Sequence, residues 1–115
     1  MHIARRTWVR NRLLVIALAA SVGAGGCALP ELSPAGAGVR LVSADAVANC
    51  ENLGKVTASV VAKAAGIPRH PDAVQDDLNV TARNSAANMG ADTIVPASKV
   101  EDGKQAFNVY RCLRR

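Results

Sequence analysis

The sequence predicts an α+β fold for residues 39–115: a small, mostly antiparallel sheet of three to four strands, packed on one main helix and stapled by one disulfide. Three observations predict it. Apolar residues recur at helical spacing over residues 72–89, short strand-like segments flank that stretch, and Cys50 and Cys112 lie within the region. A chain of 115 residues is also expected to form one domain.

The first elements are short strands. Val39–Val42, with three apolar residues and Arg40, is a short strand candidate. Residues 55–63 alternate between small apolar and polar side chains, which is the period of a half-buried strand. Their alanine content, with Gly66 as a stop, also permits a helix over 55–65, and the sequence leaves both readings open. Residues 65–71 contain two prolines and a glycine and predict a loop.

The main helix is predicted over residues 72–89. Asp72 is the expected N-cap, with Gln75 as its reciprocal partner three residues later. The positions of the buried face that follow recur at three- and four-residue steps: Val74, Leu78, Ala82, either Ser85 or Ala86, and Met89. Gly90 supplies the left-handed residue that ends such a helix.

Two strands follow the helix. Thr93–Val95 is apolar and β-branched, and Pro96 either cuts this strand short or places it at an edge, because proline cannot donate to a ladder. Asp102-Gly103 indicates a hairpin turn. Residues 105–113 form the returning strand, with Phe107 and Val109 on one face.

The net positive charge of the chain does not indicate a nucleic-acid partner. The 14 Lys and Arg exceed the 9 Asp and Glu, but four arginines lie before residue 13, and residues 27–115 carry a net charge of only +1. Such a mixed surface lacks the electrostatic footprint for DNA or RNA. With one Phe, one Tyr and one Trp, the chain also lacks aromatic residues on which bases stack.

Residues 1–26 have the pattern of a lipoprotein signal peptide. A basic segment precedes ten uncharged residues, 13–22, and then small residues lead to Cys27. Ten residues rise about 15 Å as a helix, half the hydrocarbon thickness of a bilayer, so we do not expect a spanning anchor. Arg5-Arg6 also resembles a twin-arginine export motif, and export by that route or by the general secretory route is expected.

Ala24-Gly25-Gly26-Cys27 resembles a bacterial lipobox. On this reading Cys27 is lipidated, becomes the first mature residue and anchors the protein to the membrane. Each buried acyl CH₂ contributes about 0.8 kcal/mol, so several chains hold a protein firmly. Ala28 is not the aspartate of an inner-membrane retention signal, which favours the periplasmic face of the outer membrane. The alternative is an ordinary signal peptide with an incidental cysteine.

Residues 27–38 are predicted to be the lipidated cysteine and a flexible tether. Residues 28–38 combine proline and glycine with few bulky apolar side chains, and such a segment cannot offset the cost of ordering. Fully extended, it reaches about 36 Å.

Cys50 and Cys112 remain once Cys27 carries lipid, and an even pair in an oxidising compartment is expected to form a disulfide. A bridge closing a loop of this length stabilises a fold by about 4 kcal/mol in chain-entropy models. A redox role is disfavoured because there is no Cys-x-x-Cys motif. A metal site through these two cysteines and His70 is disfavoured because the three lack the paired spacing of zinc ligands.

Four segments resemble a known family: Val39–Val42, Cys50–Val56, Ala82–Val95 and the Phe107–Cys112 ending. Their order is similar to that in small YjeI-like bacterial lipoproteins of unknown function and, more distantly, in lipoproteins of the RcsF type, which sense envelope stress. The resemblance implies a lipid-anchored periplasmic domain with a small sheet, a packed helix and a disulfide joining strand ends. RcsF-type domains carry two such disulfides, whereas this chain has cysteines for one.

No constellation of residues predicts catalysis, a metal or a cofactor. His70 stands in the predicted loop, where an exposed histidine is the simplest interpretation. Asp76 and Asp77 point about 100° apart on a helix and are better explained as charges near its N-terminus. The basic ending Arg111, Arg114 and Arg115 is either simply solvated or touches anionic headgroups or an envelope partner.

Three function hypotheses follow from these observations. The first is a non-catalytic binding or sensing module that contacts another component of the envelope, as in stress signalling. The second is a structural or housekeeping lipoprotein without a specific ligand. The third, a small redox enzyme or hydrolase, is the least supported. The sequence does not identify a ligand-binding residue.

Overall fold

The computed structural model describes residues 29–113. The predicted α+β class is confirmed: one long helix packs on a four-stranded sheet, and a small two-stranded hairpin stands beside them. In chain order the elements are helix α1 (Pro34–Ala37), β1 (Arg40–Leu41), a 3₁₀ helix (Ala44–Val47), β2 (Glu51–Ser59), β3 (Lys63–Ala64), β4 (Ile67–Pro68), helix α2 (Pro71–Asn88), β5 (Thr93–Pro96) and β6 (Lys104–Arg111). The predicted signal peptide and Cys27 lie outside the described residues.

The main sheet has the strand order β1-β5-β6-β2 and is mostly antiparallel, as predicted. Only β1 and β5 are parallel. The strands β1, β5 and β2 therefore all run in one direction, and the connections from β1 to β2 and from β2 to β5 are both crossovers. The first crossover moves across the sheet from the β1 edge to the β2 edge, and the second moves back toward β1. Right-handed crossovers then lie on opposite faces of the sheet. The second connection carries α2, and the first is the segment 42–50.

The core lies between α2 and one face of the sheet. The helix contributes an apolar stripe at the predicted spacing, and the sheet contributes side chains that are almost fully buried: Val74, Leu78, Ala82 and Ala86 from the helix, with Val39, Ala58, Ile94, Phe107 and Val109 opposite them. On the other face of the sheet, Thr93 and Val95 are also buried, and the segment 42–50 contains a further buried residue, Val47.

Both ends of α2 differ by one residue from the predicted 72–89, since the helix runs from Pro71 to Asn88; Met89, predicted to continue the apolar stripe, is the C-cap and is 38% exposed. The N-cap is His70 and not Asp72, because Pro71 takes the first helical position and the His70 Nδ1 accepts from the Asp72 amide at 3.2 Å. Gln75 makes no capping box and instead donates to Gln105. At the other end Gly90 has φ +77°, as the predicted helix stop requires.

The strand reading is confirmed for residues 55–59, but β2 ends at Ser59 and not at residue 63 as predicted; the helix alternative for 55–65 is wrong. Strand β2 begins four residues earlier than predicted, at Glu51, and a bulge between Asn52 and Gly54 interrupts its pairing with β6. The predicted loop after it contains the short β3–β4 hairpin. Its turn residues Ala65 and Gly66 both adopt positive φ, and the proline-rich half of the segment leads into α2.

Pro96 ends β5 without placing it at an edge. Strand β5 lies inside the sheet between β1 and β6, and the proline occupies its last position. Asp102-Gly103 forms the predicted turn, with φ of +50° and +72°. The bridge between Glu101 and Lys104 closes it.

The flexible tether predicted for residues 27–38 is not what the structure shows for residues 33–38. Pro34–Ala37 form a helical turn capped by Ser33, and Gly36 is buried against α2. The segment orders because Asn84 of α2 supplies the missing partners: its Oδ1 accepts from the Ser33 amide at 2.9 Å, and its Nδ2 donates to the Glu31 carbonyl at 2.8 Å. In residues 29–113 no helix has both the length and the hydropathy of a membrane span.

Candidate functional site

The predicted disulfide between Cys50 and Cys112 is present, with 4.5 Å between the two Cα atoms. It joins the residue before β2 to the residue after β6, so it ties together the ends of two paired strands. The bond leaves neither cysteine as a free thiol or a metal ligand. Both residues therefore have a structural role in this domain.

The carboxylate of Asp92 holds the chain beside the disulfide through hydrogen bonds, and we call this arrangement the carboxylate clasp. Asp92 accepts hydrogen bonds from the backbone amides of Cys112 and Leu113, both at 2.8 Å, and from the Thr93 hydroxyl. Partial burial acts to raise the pKa of Asp92, but these hydrogen bonds and the nearby Arg40 charge outweigh it and hold the pKa below its usual value. The charged form of Asp92 thus fixes the chain where it leaves β6.

A surface cavity of about 450 Å³ opens beside this clasp. It lies where α1, the end of α2 and the end of β6 meet, and its lining mixes small, apolar and charged residues: Ala35, Ala87, Gly90, Ala91, Asp92, Arg111 and Leu113. Because the carboxylate of Asp92 already accepts three hydrogen bonds, the cavity offers little unused polar capacity. The groups that a ligand in this cavity would meet are therefore mainly the exposed Leu113 side chain and the Arg111 guanidinium.

Arg111 spans the edge of that cavity. Its Nε donates to the Gly90 carbonyl at 3.3 Å, and its Nη1 pairs with Glu51 at 3.1 Å. Both side chains of the ion pair are about half exposed, so the pair contributes little to stability. The predicted basic ending is therefore partly neutralised at Arg111, while Arg114 and Arg115 lie outside the described residues.

The β3–β4 hairpin forms a second exposed feature at the other end of α2. Val61, just before β3, and Ile67 in β4 are 63% and 69% exposed, among the most exposed large apolar side chains of residues 29–113. Arg69 holds the base of the hairpin by donating to the Val61 carbonyl and pairing with Asp77, each at 2.8 Å. A cavity of about 520 Å³ lies between this base, the first turn of α2 and Val100.

The residues considered for catalysis have structural positions. His70 caps α2, and Asp77 pairs with Arg69. Asp76 is exposed on the helix surface, as expected for a charge near the N-terminus. Within residues 29–113 no three His, Cys, Asp or Glu side chains are grouped so that they could hold a metal ion.

Sequence reasoning missed three residues that organise these features. Gln105 is only 7% exposed and links Gln75 to the Ser98 carbonyl; its position two residues before Phe107 was a signal that it faces inward. Asp92 and Asn84 carried no such signal. Apart from Thr93, which is adjacent to Asp92, their partners lie 20 to 53 residues away in the sequence, and only the folded topology brings them together.

Comparison with known proteins gives one match. Residues 30–112 match the family described as Domain of unknown function (DUF4156). No curated protein and no solved structure matches the chain. The match begins just before Glu31, includes the α1 turn and ends at the second disulfide cysteine, so it covers the whole folded unit described above. The chain belongs to the DUF4156 family, whose function is unknown.

Proposed function

We propose that this chain is a lipid-anchored protein of the bacterial cell envelope whose domain acts as a non-catalytic binding or sensing module. The lipid is attached at Cys27, and the domain faces the periplasm from the outer membrane after export by the general secretory or twin-arginine route. The resemblance to YjeI-like lipoproteins and, distantly, to RcsF-type sensors agrees with this proposal. Envelope-stress signalling is one setting in which such a module would act.

The arrangement of the three cysteines supports the anchor. Cys50 and Cys112 are bonded to each other, which leaves Cys27 as the one remaining thiol of the chain. Stable disulfides are typical of oxidising compartments such as the periplasm. A lone cysteine directly after small residues and an apolar segment is what lipid attachment requires.

The observation that carries the binding role is the exposure of two large apolar side chains at the β3–β4 hairpin, Val61 just before β3 and Ile67 in β4. Val61 and Ile67 remain largely exposed, although burying either side chain would be worth about 1.5–3 kcal/mol. A partner protein with an apolar surface of its own would recover that energy on binding. The hairpin lies at the start of α2, whereas the chain toward Cys27 is bound near the end of α2, so it faces away from the proposed anchor.

Site-specific photocrosslinking in native membranes tests the binding role. A photoreactive residue replaces Ile67 in the full chain, and the matched control carries it at Asn88, an exposed position at the other end of α2. We expect one reproducible protein adduct from position 67 that is absent from position 88 and is lost when Val61 is also changed to Lys.

Adduct formation that is equal at both positions, or absent at position 67, contradicts a hairpin-mediated binding role. In that case the structural or housekeeping alternative gains support, and it predicts that deleting the gene gives no phenotype under any envelope stress.

A further inference from the structure

We propose that one end of the domain, formed by α1, the last turns of α2 and Leu113, lies directly against the membrane surface. This inference rests on the lipid anchor proposed at Cys27 and adds the face that the domain turns toward the bilayer. The exposed leucines of this end, which we call the leucine end, are Leu29, Leu32 and Leu113.

The number of residues between the anchor and the folded domain limits how far the domain stands from the lipid. Asn84 binds the Glu31 carbonyl at 2.8 Å, and Glu31 is only four residues after Cys27. Four residues span at most about 14 Å when fully extended. The 36 Å tether expected from the sequence is therefore shortened, because α1 and the residues before it are bound to α2.

The same fold places Leu113 at this end, although it is far from Cys27 in the sequence. Ala35 of α1 and Leu113 line one cavity, and Asp92 holds the Leu113 amide at 2.8 Å. Leu113 is 57% exposed and Leu29 is 64% exposed. Apolar side chains beside a lipidated residue are suited to the boundary between headgroups and acyl chains.

Charge supports the same orientation. Arg111 lies at the rim of the cavity, and the sequence continues from Leu113 with Arg114 and Arg115. Leucine followed by arginines is a typical interfacial combination, in which the apolar chain enters the bilayer and the cations meet lipid phosphates. Of these three arginines, Arg111 pairs with Glu51 at 3.1 Å.

The β3–β4 hairpin also exposes apolar side chains, but it lies too far from the leucine end to contact the membrane at the same time. Helix α2 has 18 residues and is about 27 Å long. Arg69 fixes the hairpin near the first turns of α2, whereas Asn84 binds the anchor segment near the last turns. When the leucine end lies on the membrane, Ile67 is held in solvent.

Fluorescence quenching in vesicles tests this orientation. The full chain is expressed with its own leader, extracted from membranes and reconstituted into vesicles of phosphatidylethanolamine and phosphatidylglycerol that contain a brominated lipid. Trp8 is the only tryptophan and belongs to the leader predicted to be removed, so Leu113→Trp and Ile67→Trp each add a single reporter at an exposed apolar position. We expect the brominated lipid to quench L113W several-fold more than I67W, with a blue-shifted emission for L113W alone.

Intact mass of the same samples separates the two proposals. Acylated protein in which both reporters are quenched equally, or neither is quenched, overturns the membrane-facing leucine end and leaves the anchor standing. A mass without acyl groups contradicts the anchor and this inference together. Acylated protein with selective quenching of L113W supports both.

Discussion

The carboxylate of Asp92 accepts a 2.8 Å hydrogen bond from the backbone amide of Cys112, a cysteine of the disulfide. This contact joins the turn after α2 to the end of β6, and the adjacent Leu113 amide binds the second carboxylate oxygen. A covalent bond and a charged acceptor therefore hold the same short segment. Removing either is expected to loosen the sheet where β2 and β6 meet.

The clasp predicts that Asp92→Asn destabilises the domain. The amide that replaces one carboxylate oxygen presents a donor to a backbone N–H, so one hydrogen bond to a charged acceptor is lost, at a cost of about 1–3 kcal/mol. Urea unfolding measures the change in the free energy of unfolding. Asp76→Asn, at an exposed carboxylate on α2, is the matched control and should change it by less than about 0.5 kcal/mol. Equal effects of the two substitutions would refute the clasp.

The same carboxylate predicts a pH dependence. Because the pKa of Asp92 is lower in the folded protein than in the unfolded chain, its contribution is fully present above the unfolded value of about 3.9 and is lost as the pH falls through the folded value. The Ser43 hydroxyl likewise lowers the pKa of Asp45, so the wild-type profile combines both groups. The difference in unfolding free energy between wild type and D92N isolates Asp92 and should shrink below pH 4. A difference that stays constant down to pH 2 would contradict this assignment.

Loss of the disulfide is expected to be the largest single perturbation. The cysteines are 62 residues apart, and chain-entropy models give about 4 kcal/mol for a loop of that size. Cys50→Ala together with Cys112→Ala should lower the free energy of unfolding by an amount of this order, and reduction of the wild type should have a similar effect. Urea midpoints of the oxidised, reduced and doubly substituted proteins provide the test. An unchanged midpoint after reduction would show that the bond does not stabilise the domain.

Two glycines near α1 test whether the segment before β1 is docked. A Cβ at Gly36 would lie within van der Waals overlap of the Asn84 side chain, whereas a Cβ at Gly38 would have only the Ala35 carbonyl at 3.5 Å. Gly36→Ala should therefore release α1 from α2, while Gly38→Ala should be neutral or stabilise by about 0.4–1 kcal/mol. Hydrogen exchange at the Gly36 and Val39 amides, which are hydrogen-bonded in the docked state, reports the difference. Equal protection in the two variants would show that α1 does not depend on this contact.

Local patterns in the sequence predicted most of the fold. The apolar stripe of α2, the stop at Gly90 and the turn at Asp102-Gly103 each depend on neighbouring residues. The structure confirms the stop, the turn and the stripe from Val74 to Ala86, whereas Met89 is exposed. The predicted N-cap, Asp72, lies two residues after the observed one, His70, because a histidine nitrogen, and not the Asp72 carboxylate, accepts the amide hydrogen bond.

The contacts that define the candidate surfaces depend instead on residues far apart in the chain. Ser33 and Asn84 are separated by 51 residues, and neither has a neighbour that signals the other. Composition alone therefore predicted a mobile segment where proline and glycine pack on a helix. The exposed hairpin was hidden in a predicted loop for a related reason: its pairing is only two residues long and leaves no periodic pattern.

The central claim is that Cys27 carries lipid and that Cys50 and Cys112 form a disulfide. Intact mass spectrometry of the protein extracted from membranes tests this claim most directly. The account predicts a chain that lacks residues 1–26, carries acyl groups on Cys27 and is two hydrogens lighter than the reduced form. A polypeptide that retains its first residues, bears no lipid and has all three thiols free would contradict it.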